Sequence, residues 1–324
     1  MRLDPTDPLT LILRSLRLQS GLISRGRFHT PWAIRSGQSQ GAIFHAVLEG
    51  SCTVQREGDS RGETIGVGEL VVLTRGDAHV VSDGSGVRPA AISRLPRTVE
   101  RGLPLVTYGG GGPRTRVLCG RFDFDHSAGP SLADLLPPVI VLRKQHARVV
   151  EWLETTLDLI AWELDHPQPG SEAVLARLTD ILFIQVVRSY ALSLKPGEGG
   201  WLGAVHDPQI SRALALMHEQ PEARWTAASL ARQVGVSRSA FYARFKQLVG
   251  EPPSAYLTRW RIRCACDHLV HPERSIAEVA SAVGYSSEDA LARAFRRTMG
   301  HTPAAWRRQR LTHSHRPRQP EGNG

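Results

Sequence analysis

A duplicated pattern in the last third of the chain constrains its folding most. The stretch VGVSRSAFYARFKQLVGEPP, starting at Val234, recurs as VGYSSEDALARAFRRTMGHTP, starting at Val283. Leu230 and Ala231 correspond to Val279 and Ala280, Gly235 to Gly284, Phe245 to Phe295, Gly250 to Gly300 and Pro253 to Pro303. Ser237 corresponds to Ser286 or Ser287, and the offset grows from 49 to 50 because the second copy has one extra residue after its turn. Each copy spells a short helix, then a glycine able to take the left-handed backbone that ends it. A serine N-cap follows, and a second helix buries Phe241 and Phe245, or Leu291 and Phe295, at i and i+4. Gly250 and Gly300 close that helix, and Pro252 and Pro303 lie near the starts of the next ones, where a missing N–H is harmless. This is helix-turn-helix grammar, written twice. A generic helical hairpin is the bland alternative, and it leaves the basic charge of the region unexplained. The shared residues build the unit; the unshared ones lie on the outward face, where they are suited to reading different bases.

Charge supports that division. The chain of 324 residues carries a formal +9, and residues 201–324 hold 18 Arg and Lys against 10 Asp and Glu. Residues 1–200 are nearly neutral, with 22 against 21. A basic back half suits a polyanion; a general preference for Arg, with only three Lys in the chain, does not explain the asymmetry. The N-terminal segment is broken by Asp4, Asp7 and two prolines, unlike a signal peptide. No apolar run approaches the roughly 18 residues of a membrane span. Four sparse cysteines fit a reducing compartment, so a cytoplasmic protein is expected.

Along the chain, residues 1–24 read as a short amphipathic helix through Leu9, Ile12, Leu13, Leu16 and Leu18. From Trp32 to about Leu118, short β-rich runs alternate with Gly and Asp turns, the texture of a small antiparallel sandwich or barrel. Residues 107–116, TYGGGGPRTR, read as a loop, and RVLCGRFDFD as a further strand. Two long helices are expected over 143–166 and 171–194, serving either as core or as a dimer interface. KPGEGG at 195–200 makes a break, and the remainder is helical.

Residues from about 205 to 310 resemble the DNA-binding domain of the AraC/XylS family of transcription regulators. The resemblance rests on ALALMHEQPEARWTAASLARQVGVSRSAFYARFKQLVGEPPSAYLTRWRIRCA and SIAEVASAVGYSSEDALARAFRRTMGHTPAAWRR. It implies seven helices, a long one over about Pro253–Leu269 joining the two units, and two recognition helices in successive major grooves of double-stranded DNA, about 34 Å apart. Carried over by position, Arg238, Ser239, Tyr242 and Ala243 face bases from the first helix, and Glu288, Asp289, Ala292 and Arg293 from the second. Ala243 departs from the pattern, which often holds Arg there. Arg244, Lys246, Arg296 and Arg297 are placed for phosphate. Glu288 and Asp289 have a second reading, since acids also favour a helix N-terminus. Cys264 and Cys266 lie two apart on the connecting helix, about 200° apart around it, and cannot chelate together.

GELVVLTRGDAHVVSD (68–83) resembles the second cupin motif through Gly68, Gly76, His79 and Asp83, with Thr74 in place of the usual proline. HAVLEG keeps His45 and Glu49 of the first motif but has Ile43 where another histidine is expected. Together with PWAIRSGQ and CGRFDFD, these residues resemble the cupin-type sensor domain at the front of some AraC-family regulators, over about residues 8–190. Three readings of His45 and His79 stay open: ligands, with Cys119 and Glu49, of a divalent metal such as zinc; contacts to an organic effector; or hydrogen-bonded barrel residues. Gly37-Gln38-Ser39-Gln40-Gly41 matches a hydrolase elbow in letters only, because a β-rich segment follows it. No Walker, H-E-x-x-H or Rossmann pattern is present.

The expected fold is α+β and multidomain: a cupin-like β-barrel with a short N-terminal helix over 1–142, a helical dimerisation and linker region over 143–200, an all-α domain with two helix-turn-helix units over 201–312, and a basic, disordered tail over 313–324. The expected function is sequence-specific transcription regulation, most simply activation, in response to a small-molecule or metal effector. The expected state is a homodimer contacting RNA polymerase, with no membrane partner. The rival readings are a cupin metalloenzyme fused to a DNA-binding domain, and a constitutive DNA-binding protein whose barrel is only a dimer scaffold.

Overall fold

The computed structural model describes residues 9–10, 13, 18–39, 41–100, 102–124, 136–144, 147–194, 201–204 and 207–314. The chain divides into two compact units, a β-barrel with two covering helices and a C-terminal group of helices.

In the first unit the strands are β1 Leu18–His29, β2 Ala33–Ser36, β3 Ala42–Glu49, β4 Ser51–Arg56, β5 Glu63–Gly66, β6 Leu70–Leu73, β7 His79–Ser82, β8 Ala90–Ala91, β9 Arg97–Glu100, β10 Leu103–Gly109, β11 Arg114–Phe124 and β12 Val139–Leu142. They form two sheets, ordered β12-β6-β3-β11-β1-β10-β9 and β5-β4-β7-β2-β8. Period-two alternation is visible in β4, where Cys52 and Val54 point inward and Ser51 and Gln55 are exposed. The core between the sheets gathers Trp32, Val47, Cys52, Val54, Ile65, Val71, Leu73, Val81 and Val117.

Strand β3 is buried over Ala42–Val47 on both faces. One face lines that core. The other lies under α1 (Ala147–Asp165) and α2 (Ser171–Ser193), where Phe44 stacks on Phe122 and Phe183 of α2 packs at a tilt against Phe122, both at 4.9 Å between ring centroids. Gly120, opposite Phe44 in the β3–β11 ladder, leaves room for that ring; a Cβ there would overlap it. Leu153, Leu157, Ile160 and Leu164 of α1 and Leu182, Phe183, Val186 and Val187 of α2 are buried. Burying one such side chain is worth about 1.5–3 kcal/mol, so these helices belong to the barrel's packing.

That packing corrects the sequence reading in several places. The chain between 142 and 143 is no unit boundary, because both helices fold with the barrel. The apolar stripes of the two helices are divided: Leu153, Leu157 and Leu182 are buried, whereas Trp152, Val174 and Ile181 are exposed. Leu9, Thr10 and Leu13 are helical, but Leu18 onward is strand, since Leu18–His29 pairs with β11 along its whole length. Ile12, Leu16, the 195–200 break and the tail beyond Ser314 lie outside the described residues. The expected loop 107–116 shrinks to 110–113: Thr107 and Tyr108 pair in parallel with Arg27 and Phe28, and Arg114 starts β11. Local Gly content suggested a loop; ladder hydrogen bonding on both sides won.

The second unit comprises α3 Trp201–Ala204, α4 Pro208–Glu219, α5 Ala227–Gln233, α6 Arg238–Val249, α7 Pro253–Leu269, α8 Ile276–Ala282, α9 Glu288–Met299 and α10 Pro303–Ser314. Helix α10 thus runs two residues past the expected domain end at 312. Two cores lie along α7. Tyr256 and Leu257 join Ile210, Leu214, Leu230, Phe241 and Phe245, whereas Ile262, Ala265, Cys266 and Leu269 join Val279, Val283, Leu291, Phe295 and Trp306. The connecting helix therefore gives its first turns to one helix-turn-helix unit and its last turns to the other. Neither Cys264 nor Cys266 is in a disulfide.

Candidate functional site

The repeat is one of geometry as well as letters. Thr226 and Ser229 form a capping box at the start of α5, and Ser275 and Glu278 form another at the start of α8. Each box satisfies two backbone donors that the helix leaves unpaired. The turn glycines Gly235 and Gly284 have φ of 73° and 81°, a left-handed conformation that penalises side chains. Ser237 then caps α6 by accepting from Ala240 N, and Ser287 caps α9 by accepting from Ala290 N. This settles the serine alignment in favour of Ser287. Both second helices run for 12 residues and end at left-handed Gly250 and Gly300.

With α6 and α9 aligned at an offset of 50, Phe241 and Phe245 fall on Leu291 and Phe295, all buried. The opposite face is the candidate nucleic-acid interface. On α6, Arg238, Ser239, Tyr242, Ala243 and Lys246 are exposed. On α9, Glu288, Asp289, Arg293, Arg296 and Arg297 are exposed, and Ala292 is half-buried. The paired positions differ in chemistry: Ala243 faces out where the second copy has Arg293, and Tyr242 where it has Ala292. Glu288 and Asp289 occupy the first turn of α9 and Arg296 and Arg297 its last, an order that complements the helix dipole.

Arg244, placed for phosphate by its position, is exposed as well and also makes a contact within the unit. It bonds the carboxylate of Asp207, whose side chain is 7% exposed. Asp207 also caps α4 by accepting from Gln209 N and Ile210 N. Arg244 sits on the flank of α6 near the buried face, and its counterpart at the offset of 50 is Ala294, itself buried. The pair ties α6 to the start of α4; sequence reasoning missed it because Asp207 lies 37 residues away.

The barrel site joins three groups from two sheets. Cys119 of β11 is the ladder partner of His45 on β3, and His79 opens β7 in the other sheet. His45 Nδ1 lies 3.1 Å from Cys119 Sγ, and His45 Nε2 lies 2.8 Å from His79 Nε2. His79 Nδ1 lies 2.7 Å from the Asp77 carbonyl oxygen. A carbonyl only accepts, so His79 Nδ1 carries the proton and Nε2 is an acceptor. His45 Nε2–H then donates to His79, and the Cys119 S–H donates to His45 Nδ1. Burial, with His79 beside it, holds His45 well below the usual imidazole range. Burial also lowers His79, opposed by the hydrogen bond and charge of Asp77. Burial pushes the Cys119 thiol up to about 12 despite a hydrogen bond from Ser24. All three groups are neutral at pH 7, as the relay requires.

This arrangement does not fit the expected three-ligand metal site. His45 directs opposite ring nitrogens at Cys119 and His79, so the three donors do not converge on one point. Among the described residues, no three His, Cys, Asp or Glu side chains are grouped to hold a metal ion. Glu49 lies four residues along β3 from His45, about 13 Å of extended chain, and forms an ion pair with Arg114 at 2.9 Å. Of the remaining motif residues, Gly68 and Gly76 have φ of 75° and 62°. Thr74, in place of proline, donates to the Pro137 carbonyl at 2.7 Å. Asp83 accepts from Trp32 N. The 37–41 segment leads into strand β3, not a helix, as its context implied.

A barrel with a hydrogen-bonded polar relay in its interior, in one chain with paired helix-turn-helix units that have a basic outward face, defines a DNA-binding transcription regulator. A cupin family profile matches residues 7–191, and a helix-turn-helix domain profile matches residues 230–309. A putative AraC-like transcription regulator of Streptomyces antibioticus is 33% identical over 94% of this chain and 99% of its own length. The HTH-type transcriptional regulator AlkR of Acinetobacter baylyi is 31% identical, over 94% of this chain and 99% of its own. The RCS-specific HTH-type transcriptional activator RclR of Escherichia coli is 27% identical, over 75% of this chain and 86% of its own. The chain belongs to the AraC family of transcriptional regulators, with an N-terminal cupin domain and a C-terminal AraC-type DNA-binding domain. Its relatives are regulators rather than enzymes, which removes the metalloenzyme rival. Among the described residues, no helix is long and apolar enough to cross a membrane.

Proposed function

We propose that this regulator is an effector-responsive activator that reads two successive major grooves with α6 and α9. The observation that carries the reading is that caps, turn glycines and buried positions of one plan present different outward side chains, Ser239, Tyr242 and Ala243 against Asp289, Ala292 and Arg293. Equivalent scaffolds with unlike faces suit an asymmetric DNA site. The relative named as a transcriptional activator supports activation, which implies contact with RNA polymerase.

The test contrasts two substitutions on DNA fragments recovered by genome-wide mapping. Arg293→Ala is expected to cost about 1–3 kcal/mol on the preferred site and to relax preference at one base pair. Lys246→Ala is expected to weaken all sequences alike and to flatten the salt slope by about one unit. Equal weakening of every sequence by Arg293→Ala would remove base reading by α9.

The barrel relay is the proposed sensing site. Its polar atoms are mutually satisfied inside an apolar core, so an effector acting there must displace a hydrogen bond between His45, His79 and Cys119. Effector binding then shifts the chain between two arrangements only insofar as it prefers one. Replacing His79 by alanine is expected to abolish the transcriptional response to the effector and leave DNA affinity unchanged; a fully responsive variant would exclude His79.

A homodimer through α1 and α2 is supported by their outer faces. Trp152, Leu159 and Trp162 on α1, and Val174, Ile181 and Leu192 on α2, are between 36% and 62% exposed. Each set recurs at helical spacing on the side away from the barrel.

A further inference from the structure

We propose that Arg261 is a positioning residue that braces the second helix-turn-helix unit against the first, so that the protein accepts one spacing between its two half-contacts on DNA. The inference rests on both recognition helices engaging one duplex.

Arg261 lies mid-way along α7, between the turns given to the two cores. Its Nε donates to the Pro221 carbonyl at 2.6 Å and its Nη2 to the Ala223 carbonyl at 2.8 Å. Both acceptors lie in the loop between α4 and α5, on the side of the first helix-turn-helix unit. The same guanidinium sits 5.8 Å from the ring centroid of Tyr285, in the turn of the second unit. One planar fork therefore holds both units at once, which a lysine ammonium on a flexible stem does not reproduce.

The backbones also touch at this point. A Cβ on Gly284 would lie 2.7 Å from both Cα and O of Glu222 and 2.9 Å from Arg261 Nη2. Gly235, its counterpart in the first copy, would meet nothing within 4 Å. Both glycines have positive φ, so conformation alone explains Gly235, whereas Gly284 is also needed for close approach. Tyr285 replaces Val236 of the first copy. The two copies thus diverge at the turn where the units meet. Helix α7 also connects the two units, and long helices bend gently. With the Arg261 contact, α7, the 221–223 loop and the 284–285 turn form a closed triangle.

The test uses the full chain and the genomic fragment it binds best from sheared genomic DNA. One or two base pairs are inserted between the two footprinted grooves; each moves the second groove by about 3.4 Å and roughly 35°. The wild type is expected to lose at least about tenfold in affinity per inserted pair, the scale of a mismatched site. Arg261→Ala and Arg261→Lys are expected to lose about threefold or less per insertion relative to their own affinity for the original fragment. Arg261→Lys keeps the charge, so a simple phosphate contact predicts no change in spacing tolerance. Tyr285→Val restores the first copy's residue and is expected to behave like Arg261→Lys; it carries the test if Arg261→Ala does not fold. Variants as sensitive to spacing as the wild type would overturn the brace. A wild type indifferent to spacing would overturn the two-groove reading and the brace with it.

Discussion

Phe295→Ala is expected to destabilise the DNA-binding unit by about 3–5 kcal/mol and to abolish specific DNA binding. Phe295 is fully buried among Ile262, Leu269, Val279, Val283 and Leu291, with its ring edge-on to Trp306 at 6.3 Å. It anchors α9 to α7 and α10 at once, so the lost ring leaves a cavity that three helices must share. A domain is stable by only about 5–15 kcal/mol, so this is a large fraction of what holds the second unit together. Phe295→Leu fills most of the volume and is expected to cost far less. Urea unfolding followed by circular dichroism measures both. A loss below about 1 kcal/mol for the alanine variant would mean that the second core is not packed as described.

Acid is expected to weaken the same unit through His218. This imidazole is 6% exposed, lies 2.7 Å from the Tyr256 hydroxyl through Nε2, and packs at a tilt against Trp260, with ring centroids 4.0 Å apart. Burial lowers its pKa to about 3, against about 6.5 for an unfolded histidine. Above pH 6.5 both states are neutral and the group contributes nothing to the pH dependence. Below pH 6.5 the unfolded chain takes up a proton that the folded chain refuses. Stability is then lost at up to about 1.4 kcal/mol per pH unit until the folded group titrates near pH 3. His218→Gln removes that term. It is expected to be less stable than the wild type at pH 7.5, with the gap shrinking as pH falls below 6.5. Parallel stability curves for the two proteins would show that His218 titrates as an ordinary surface histidine. In the barrel, the lowered His45 and His79 act in the same direction.

Much of the second unit was legible before any coordinates. The cap serines, turn glycines and i, i+4 aromatics act within a few residues, so their spacing carries their meaning, and the expected connecting helix Pro253–Leu269 matches α7. Strand texture and the two motif histidines were legible for the same reason. The N-terminal assignment failed from Leu18 because a leucine-rich stretch is also compatible with a strand, and its partner β11 lies about a hundred residues away. The split role of α1 was hidden as well: Trp152 and Leu153 are neighbours in one apolar pattern, yet Trp152 is 52% exposed and Leu153 is buried.

The sequence by itself determined that this chain builds two helix-turn-helix units from one plan and sets them behind a cupin-like barrel, since caps, periodicity and charge are local properties. Only the tertiary structure decided which polar side chains are free. It paired Arg244 with Asp207, turned His45 between Cys119 and His79, and placed Arg261 between the loop of one helix-turn-helix unit and the turn of the other. Each partnership spans tens of residues and depends on the direction of a side chain, which packing sets and local spacing does not encode.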